Sequence, residues 1–127
     1  MVPYAGIGAR ATPDYILNIM KDLASKLEGQ GYLLRSGGAK GADAAFEAGV
    51  TNPGNKQIYL PGRSFNQRFA GQQGIVDATR LPNWQQAIQT VNQFHPAPGR
   101  LSDFARNLMA RNAMQVLGGQ MNEPAKM

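Results

Sequence analysis

The sequence predicts an α/β domain of Rossmann type, a three-layer sandwich around a short parallel sheet. Three observations carry that expectation. Residues 2–62 alternate short apolar runs with amphipathic helical stretches. Two glycine loops, Gly6-Ile7-Gly8-Ala9-Arg10 and Ser36-Gly37-Gly38-Ala39-Lys40-Gly41, each follow such a run and precede a helix. The chain has 127 residues, the size of one domain, so 1–127 reads as a single unit.

The elements follow in order. Residues 2–8 are an apolar run breaking at Gly-Ile-Gly, a buried strand entering a tight loop. Thr12-Pro13-Asp14 starts a helix, with Thr12 as cap, Pro13 at the first helical position and Asp14 at the positive end. Ile16, Met20, Leu23, Ala24 and Leu27 recur at helical spacing, and Gly29 and Gly31 stop the helix. Tyr32 to Arg35 is a second strand. Ala42 to Ala48 is a small-residue helix ended by Gly49, and Gln57 to Leu60 is a third strand closed by Pro61-Gly62.

Residues 63–82 are polar and read as a long loop with short helical turns. Asn83 to Phe94 is an amphipathic helix on Trp84, Ala87, Ile88 and Val91. His95-Pro96-Ala97-Pro98-Gly99 breaks it. Leu101 to Leu117 is a last helix with Leu101, Phe104, Leu108 and Leu117 as its expected buried set, and Gly118-Gly119 ends it. The final eight residues show no clear element. Three strands make a thin sheet. The chain is therefore expected to need a second copy, or a further segment where the next strand belongs. Trp84, Ile88, Leu101 and Leu108 are the expected dimer face.

Composition narrows the function classes. Hydrophobic residues make up 43% and charged residues 17%, which excludes a coiled coil and a highly charged disordered chain. There is no Cys and only one His, His95, so thiolate chemistry and multi-His metal sites are excluded. No metal or cofactor is expected. No apolar run approaches membrane length and no secretory signal is visible, so the expected setting is cytoplasmic, with no membrane partner. Lys and Arg outnumber Asp and Glu by 13 to 8, a formal +5, which suits a phosphate-bearing partner without requiring one.

The two loops carry the chemistry. Both leave the carboxyl ends of predicted parallel strands, the ligand edge of an open α/β sheet. In the first, Gly6 and Gly8 let a bound group approach backbone N–H groups, and Arg10 adds charge. A lone Gly-x-Gly marks a plain tight turn as readily. In the second, Ser36, Gly37, Gly38 and Lys40 offer a hydroxyl, N–H groups and a cation where a helix begins. Asp43 would brace the loop or accept from a ribose hydroxyl. The spacing is not that of a P-loop. Arg111, in Met109-Ala110-Arg111-Asn112, is a weaker addition, since an ordinary basic helix surface fits it as well. Arg106, five positions earlier, points elsewhere.

Gly6-Ile7-Gly8-Ala9-Arg10 with Thr12, followed by Ser36-Gly37-Gly38-Ala39-Lys40-Gly41-Ala42-Asp43-Ala44-Ala45 and later Arg111-Asn112, resembles the DNA-processing protein A family. The wider superfamily includes the Lonely Guy phosphoribohydrolases, and small phage-encoded members look similar. The resemblance covers most of residues 3–118. It implies a Rossmann-like sheet, phosphate ligands at the glycine loops, and frequent dimers. It also implies binding of a nucleotide or single-stranded DNA. Two features depart from the family. The Lonely Guy Pro-Gly-Gly-x-Gly-Thr-x-x-Glu motif is missing, and the family's C-terminal strand and helix do not follow residue 117. No catalytic residue is therefore assigned. The expected function is phosphate binding without catalysis, in DNA processing or against a host protein. The alternatives are an N-glycosidic hydrolase of nucleoside monophosphates, with Asp43 or Glu47 as its carboxylate, and an interaction factor whose loops are purely structural.

Overall fold

The computed structural model describes residues 1–126. Strand β1 spans Val2–Ala5, helix α1 Asp14–Gly29, β2 Tyr32–Ser36, α2 Ala42–Ala48 and β3 Lys56–Leu60. Then come the two-residue strands β4 (Ser64–Phe65) and β5 (Arg68–Phe69), β6 (Ile75–Asp77), α3 (Trp84–Phe94) and α4 (Asp103–Leu117). The main sheet has the order β1-β2-β3-β6 and is parallel throughout. β4 and β5 form a separate antiparallel hairpin.

Helices cover both faces, giving three layers. Tyr4, Leu34, Ile58, Leu60 and Ile75 pack with Ala24 and Leu27 of α1 and Phe46 of α2. Tyr59 faces the other way and packs with Trp84, Ala87 and Val91 of α3 and Ala110 and Met114 of α4. Ile58 and Leu60 are fully buried on one side and Tyr59 nearly so on the other. Coverage of both faces explains why the strands read as unbroken apolar runs rather than alternating ones.

The sheet has four strands, not three. Ile75, Val76 and Asp77 pair with Ile58, Tyr59 and Leu60 inside the stretch expected to be irregular. Three residues after a Gln-Gln-Gly leave little periodicity to read. The first strand ends at Ala5, because Gly6 turns away after one bond to the Arg35 carbonyl. The α1 cap also differs from expectation. Pro13 takes the cap position, and the Thr12 hydroxyl donates to the Ala9 carbonyl at 2.7 Å.

The buried face of α4 departs most from the expected one. Ala110, Arg111, Met114 and Gln115 are buried, whereas Phe104 is 55% exposed. Leu101 and Leu117 are partly buried against the α3–α4 cluster. Helix α4 starts at Asp103, with the Ser102 hydroxyl accepting from Ala105 N–H. Trp84 is buried, and Ile88 and Leu101 pack beside it, so three of the four side chains expected at a dimer face are used within the chain.

The carboxyl-terminal segment returns to β1. Lys126 N–H donates to the Pro3 carbonyl at 2.9 Å, and Ala125 N–H to the Val116 carbonyl. Arg35, nearly fully buried, anchors this segment by donating to the carbonyls of Glu123 at 2.6 Å and Val116 at 3.4 Å. Among the described residues no helix is long and apolar enough to cross a membrane.

Candidate functional site

Both glycine loops emerge at the carboxyl edge of the sheet and interlock there. Ala42 N–H donates to the Ala9 carbonyl at 3.2 Å, and the Ser36 hydroxyl donates to the Gly6 carbonyl at 2.6 Å. Gly41 sits at φ +83°, and a Cβ there would come within 2.5 Å of the Arg10 carbonyl oxygen. Only glycine meets both conditions, so the first loop can lie directly on the start of α2.

Arg111 closes the assembly from α4. It is 3% exposed. Its Nη1 donates to the carbonyls of Gly37 and of Tyr59, the latter at 3.1 Å, and its Nε donates to Leu108 at 3.3 Å. The guanidinium carbon lies 5.3 Å from the Phe65 ring centre, stacking distance for a cation on an aromatic face. The guanidinium therefore spans the ends of β2 and β3, with the β4–β5 hairpin as its lid. Burial pulls it below its ordinary value, Asp43 opposes that shift, and Arg10 adds to it.

Asp43 is the matching anion, 5% exposed. Burial pushes its carboxyl above the usual range. Arg111 and the backbone N–H groups of Ala39, Gly37 and Gly8 pull the other way. A carboxylate of the protein itself thus faces N–H groups from both loops, the kind of concavity that binds anions.

A cleft of about 410 Å³ opens beside this pair, lined by Gly8, Arg10, Asp43, Arg111, Asn112 and Gln115 among others. Four of the nine residues singled out from the sequence, Gly8, Arg10, Asp43 and Arg111, meet there. Ser36 and Gly37 lie behind it in the loop frame. Gly6 is packed against Leu34 and Phe46. Gly38 is covered by the hairpin, where Asn66 donates to its carbonyl at 2.9 Å. Lys40 is exposed outside the cleft.

Sequence reasoning missed Gln115. It is fully buried, lines the cleft, and neither atom of its amide has a partner among the described residues. Its spacing four after Arg111 was the available signal, since such residues share a helix face. Glu47 is occupied elsewhere, accepting from Arg68 Nε at 2.6 Å and Lys56 Nζ at 3.2 Å.

A larger hollow of about 670 Å³ lies at Leu33, Arg35, Gln57, Tyr59 and the 118–123 segment, away from the loops. Its two charged groups, Arg35 and Glu123, pair with each other at 3.4 Å. That leaves it no free charge to recognise an anion. Among the described residues no cluster of His, Asp or Glu could hold a metal ion. No family model, curated protein or solved structure matches the chain.

Proposed function

We propose that the carboxyl-edge cleft binds a nucleotide, or a phosphate of single-stranded nucleic acid, without chemistry on it. The observation that supports this reading most is the charge balance of the cleft. Arg111 is offset by Asp43, while Arg10 forms no ion pair among the described residues. One cation is therefore left for an incoming anion. Asp43 already faces the loop N–H groups, so the phosphate falls to Arg10, with Lys40 at the rim for a longer strand. Asn112 supplies an amide beside it. An N-glycosidic hydrolase would need a carboxylate free to act at the sugar. Among the described residues Asp43 is the only one lining the cleft, and it is engaged by Arg111 and the loops.

Calorimetry with a nucleoside monophosphate, its parent nucleoside and a single-stranded oligonucleotide tests the reading. The phosphate-bearing ligands should bind at least about tenfold more tightly than the nucleoside, and Arg10→Ala should remove most of that difference. Oligonucleotide affinity should fall by about 0.7 log units per log unit of salt for each phosphate neutralised, and Lys40→Ala should lower that slope. Equal binding of nucleoside and nucleotide, or an Arg10→Ala variant that binds like the parent, refutes it.

A further inference from the structure

The floor of the carboxyl-edge cleft holds three polar side chains whose bonding is incomplete. Arg111 and Asp43, both more than nine-tenths buried, line it from opposite elements, α4 and α2. Among the described residues no nitrogen of Arg111 forms an ion pair with an Asp43 oxygen. Each charge still shifts the ionisation of the other, so the two face one another across a gap.

Each side of the gap keeps a bonding position free. Arg111 uses Nε on Leu108 and Nη1 on Gly37 and Tyr59. Its Nη2 has no partner among the described residues and, unlike the Gln115 amide, is not fully covered. Asp43 draws on the backbone N–H groups of Gly8, Gly37 and Ala39. An ionised carboxylate has about four lone-pair sites, so one is left. Gln115 follows Arg111 by one turn of α4, and its Oε1 lies, like the guanidinium, beside Gly37. Neither atom of its amide has a partner among the described residues. Buried amides are normally bonded, and this one borders the cleft.

The charges select what can enter the gap. An anion there would meet Asp43, and a cation would meet Arg111. A hydroxyl suits both sides, because it accepts from Nη2 and donates to the carboxylate. A second hydroxyl on the adjoining carbon matches an amide, which can donate or accept. The phosphate stays with Arg10. Ile7 and Val116, both exposed, give the same cleft an apolar wall. A phosphate, two adjacent hydroxyls and a flat ring with apolar faces are the parts of a ribonucleotide. An internal nucleotide of a DNA strand has no free hydroxyl on its sugar.

We infer that the cleft floor recognises the two adjacent ribose hydroxyls of a free ribonucleotide, one lying between Asp43 and Arg111 and the other on the Gln115 amide. The inference rests on the binding reading above and narrows it. The cleft takes ribonucleotides in preference to deoxyribonucleotides and to internal positions of a DNA strand. Gln115 is then a specificity-determining residue, and its missing partner is the ligand.

Calorimetry at one salt concentration compares a ribonucleoside 5′-monophosphate with its 2′-deoxy and 3′-deoxy counterparts, and ribose 5-phosphate with 2-deoxyribose 5-phosphate. The ribonucleotide should bind at least about tenfold more tightly than either deoxy form, because a site built to bond a hydroxyl rejects the analogue that lacks it. Ribose 5-phosphate should keep an advantage over its deoxy form, since the contact is to the sugar. Gln115→Leu removes an unpartnered buried amide, so it should melt no lower than the parent. The same variant should lose at least about threefold in ribonucleotide affinity and bind one of the two deoxy forms as the parent does. A purely structural residue would move the melt and leave the sugar preference alone. Equal affinity for ribo and deoxy forms, with Arg10→Ala still weakening both, overturns this inference and leaves the binding reading standing. A preference that vanishes in the two sugar phosphates, a Gln115→Leu variant with the parent's sugar preference, or one that melts lower each overturns it too. Equal binding of nucleoside and nucleotide removes the binding reading, and this inference with it.

Discussion

Arg111 donates to the carbonyl of Gly37, 74 positions earlier in the chain, and so ties α4 to the second glycine loop. The same guanidinium compensates Asp43, whose carboxyl is otherwise buried. Arg111→Ala removes the cation and leaves Asp43 to the backbone N–H groups of Ala39, Gly37 and Gly8 alone. Leaving the buried Gly37 and Tyr59 carbonyls without their charged donor costs about 1–3 kcal/mol. The loss should be clear in urea unfolding midpoints. Arg111→Lys keeps a charge but loses the Nε donor to Leu108 and the planar group over the Phe65 ring, so it should recover only part of the loss.

Acid should act through Glu28. Its carboxylate accepts from Thr51 N–H, Asn52 N–H and the Asn55 amide, and these bonds hold it down at about 2 against an ordinary 4.5. A depressed carboxyl contributes stability above its unfolded value and loses it as pH falls towards the folded one. The stability gap between the parent and Glu28→Gln should be full near neutrality and shrink as pH drops from about 4.5 towards 2. A gap that does not vary with pH would remove Glu28 as the cause. Asp43 works in the opposite sense, because its carboxyl is raised, but it is common to both proteins and cancels from the comparison.

Tyr4 offers a case where removal should help. Its ring packs edge-on against Tyr32 and Phe46, but its buried hydroxyl has no partner among the described residues. Burial first, and Glu28 second, push that hydroxyl up to about 12. Tyr4→Phe keeps the ring contacts and deletes an unsatisfied polar group, a change worth about 1 kcal/mol in favour of the fold. A thermal melt lower than the parent's would mean the hydroxyl has a partner.

The sequence made the strand–helix order to residue 60 and the two loops legible because their signals are local. Glycines, a proline and apolar spacing act within a few residues of themselves. The α4 face was not legible for the opposite reason. Phe104 and Leu108 look like core, and Arg111 and Gln115 look like surface, until two carbonyls and a carboxylate from distant segments arrive to bury the polar side. Strand β6 is similar. Its three residues pair with β3 only because the chain between them folds back through the β4–β5 hairpin. Ser36 shows the same limit at the site. A hydroxyl in a glycine loop resembles a ligand for an anion, yet its proton goes to the Gly6 carbonyl.

The two loops should respond to glycine replacement in a way that separates backbone strain from crowding. Gly41 has φ +83° and no room, since the Arg10 carbonyl oxygen would lie 2.5 Å from a new Cβ and the Ala9 carbonyl oxygen 2.6 Å. Gly31 has φ +87° but nothing within 4 Å. Gly29 lies at the end of α1 with neither problem. Gly29→Ala should therefore be stabilising by about 0.5–1 kcal/mol, through helix propensity and a less free unfolded chain. Gly31→Ala should cost about 1–2 kcal/mol, the price of a left-handed backbone alone. Gly41→Ala should cost more than Gly31→Ala, because the first loop must also lift off the start of α2. That lifting should appear as faster amide exchange at Ala42, whose N–H is held by the Ala9 carbonyl. Equal losses at Gly31 and Gly41, with Ala42 exchange unchanged, would show that the loops do not depend on their close approach.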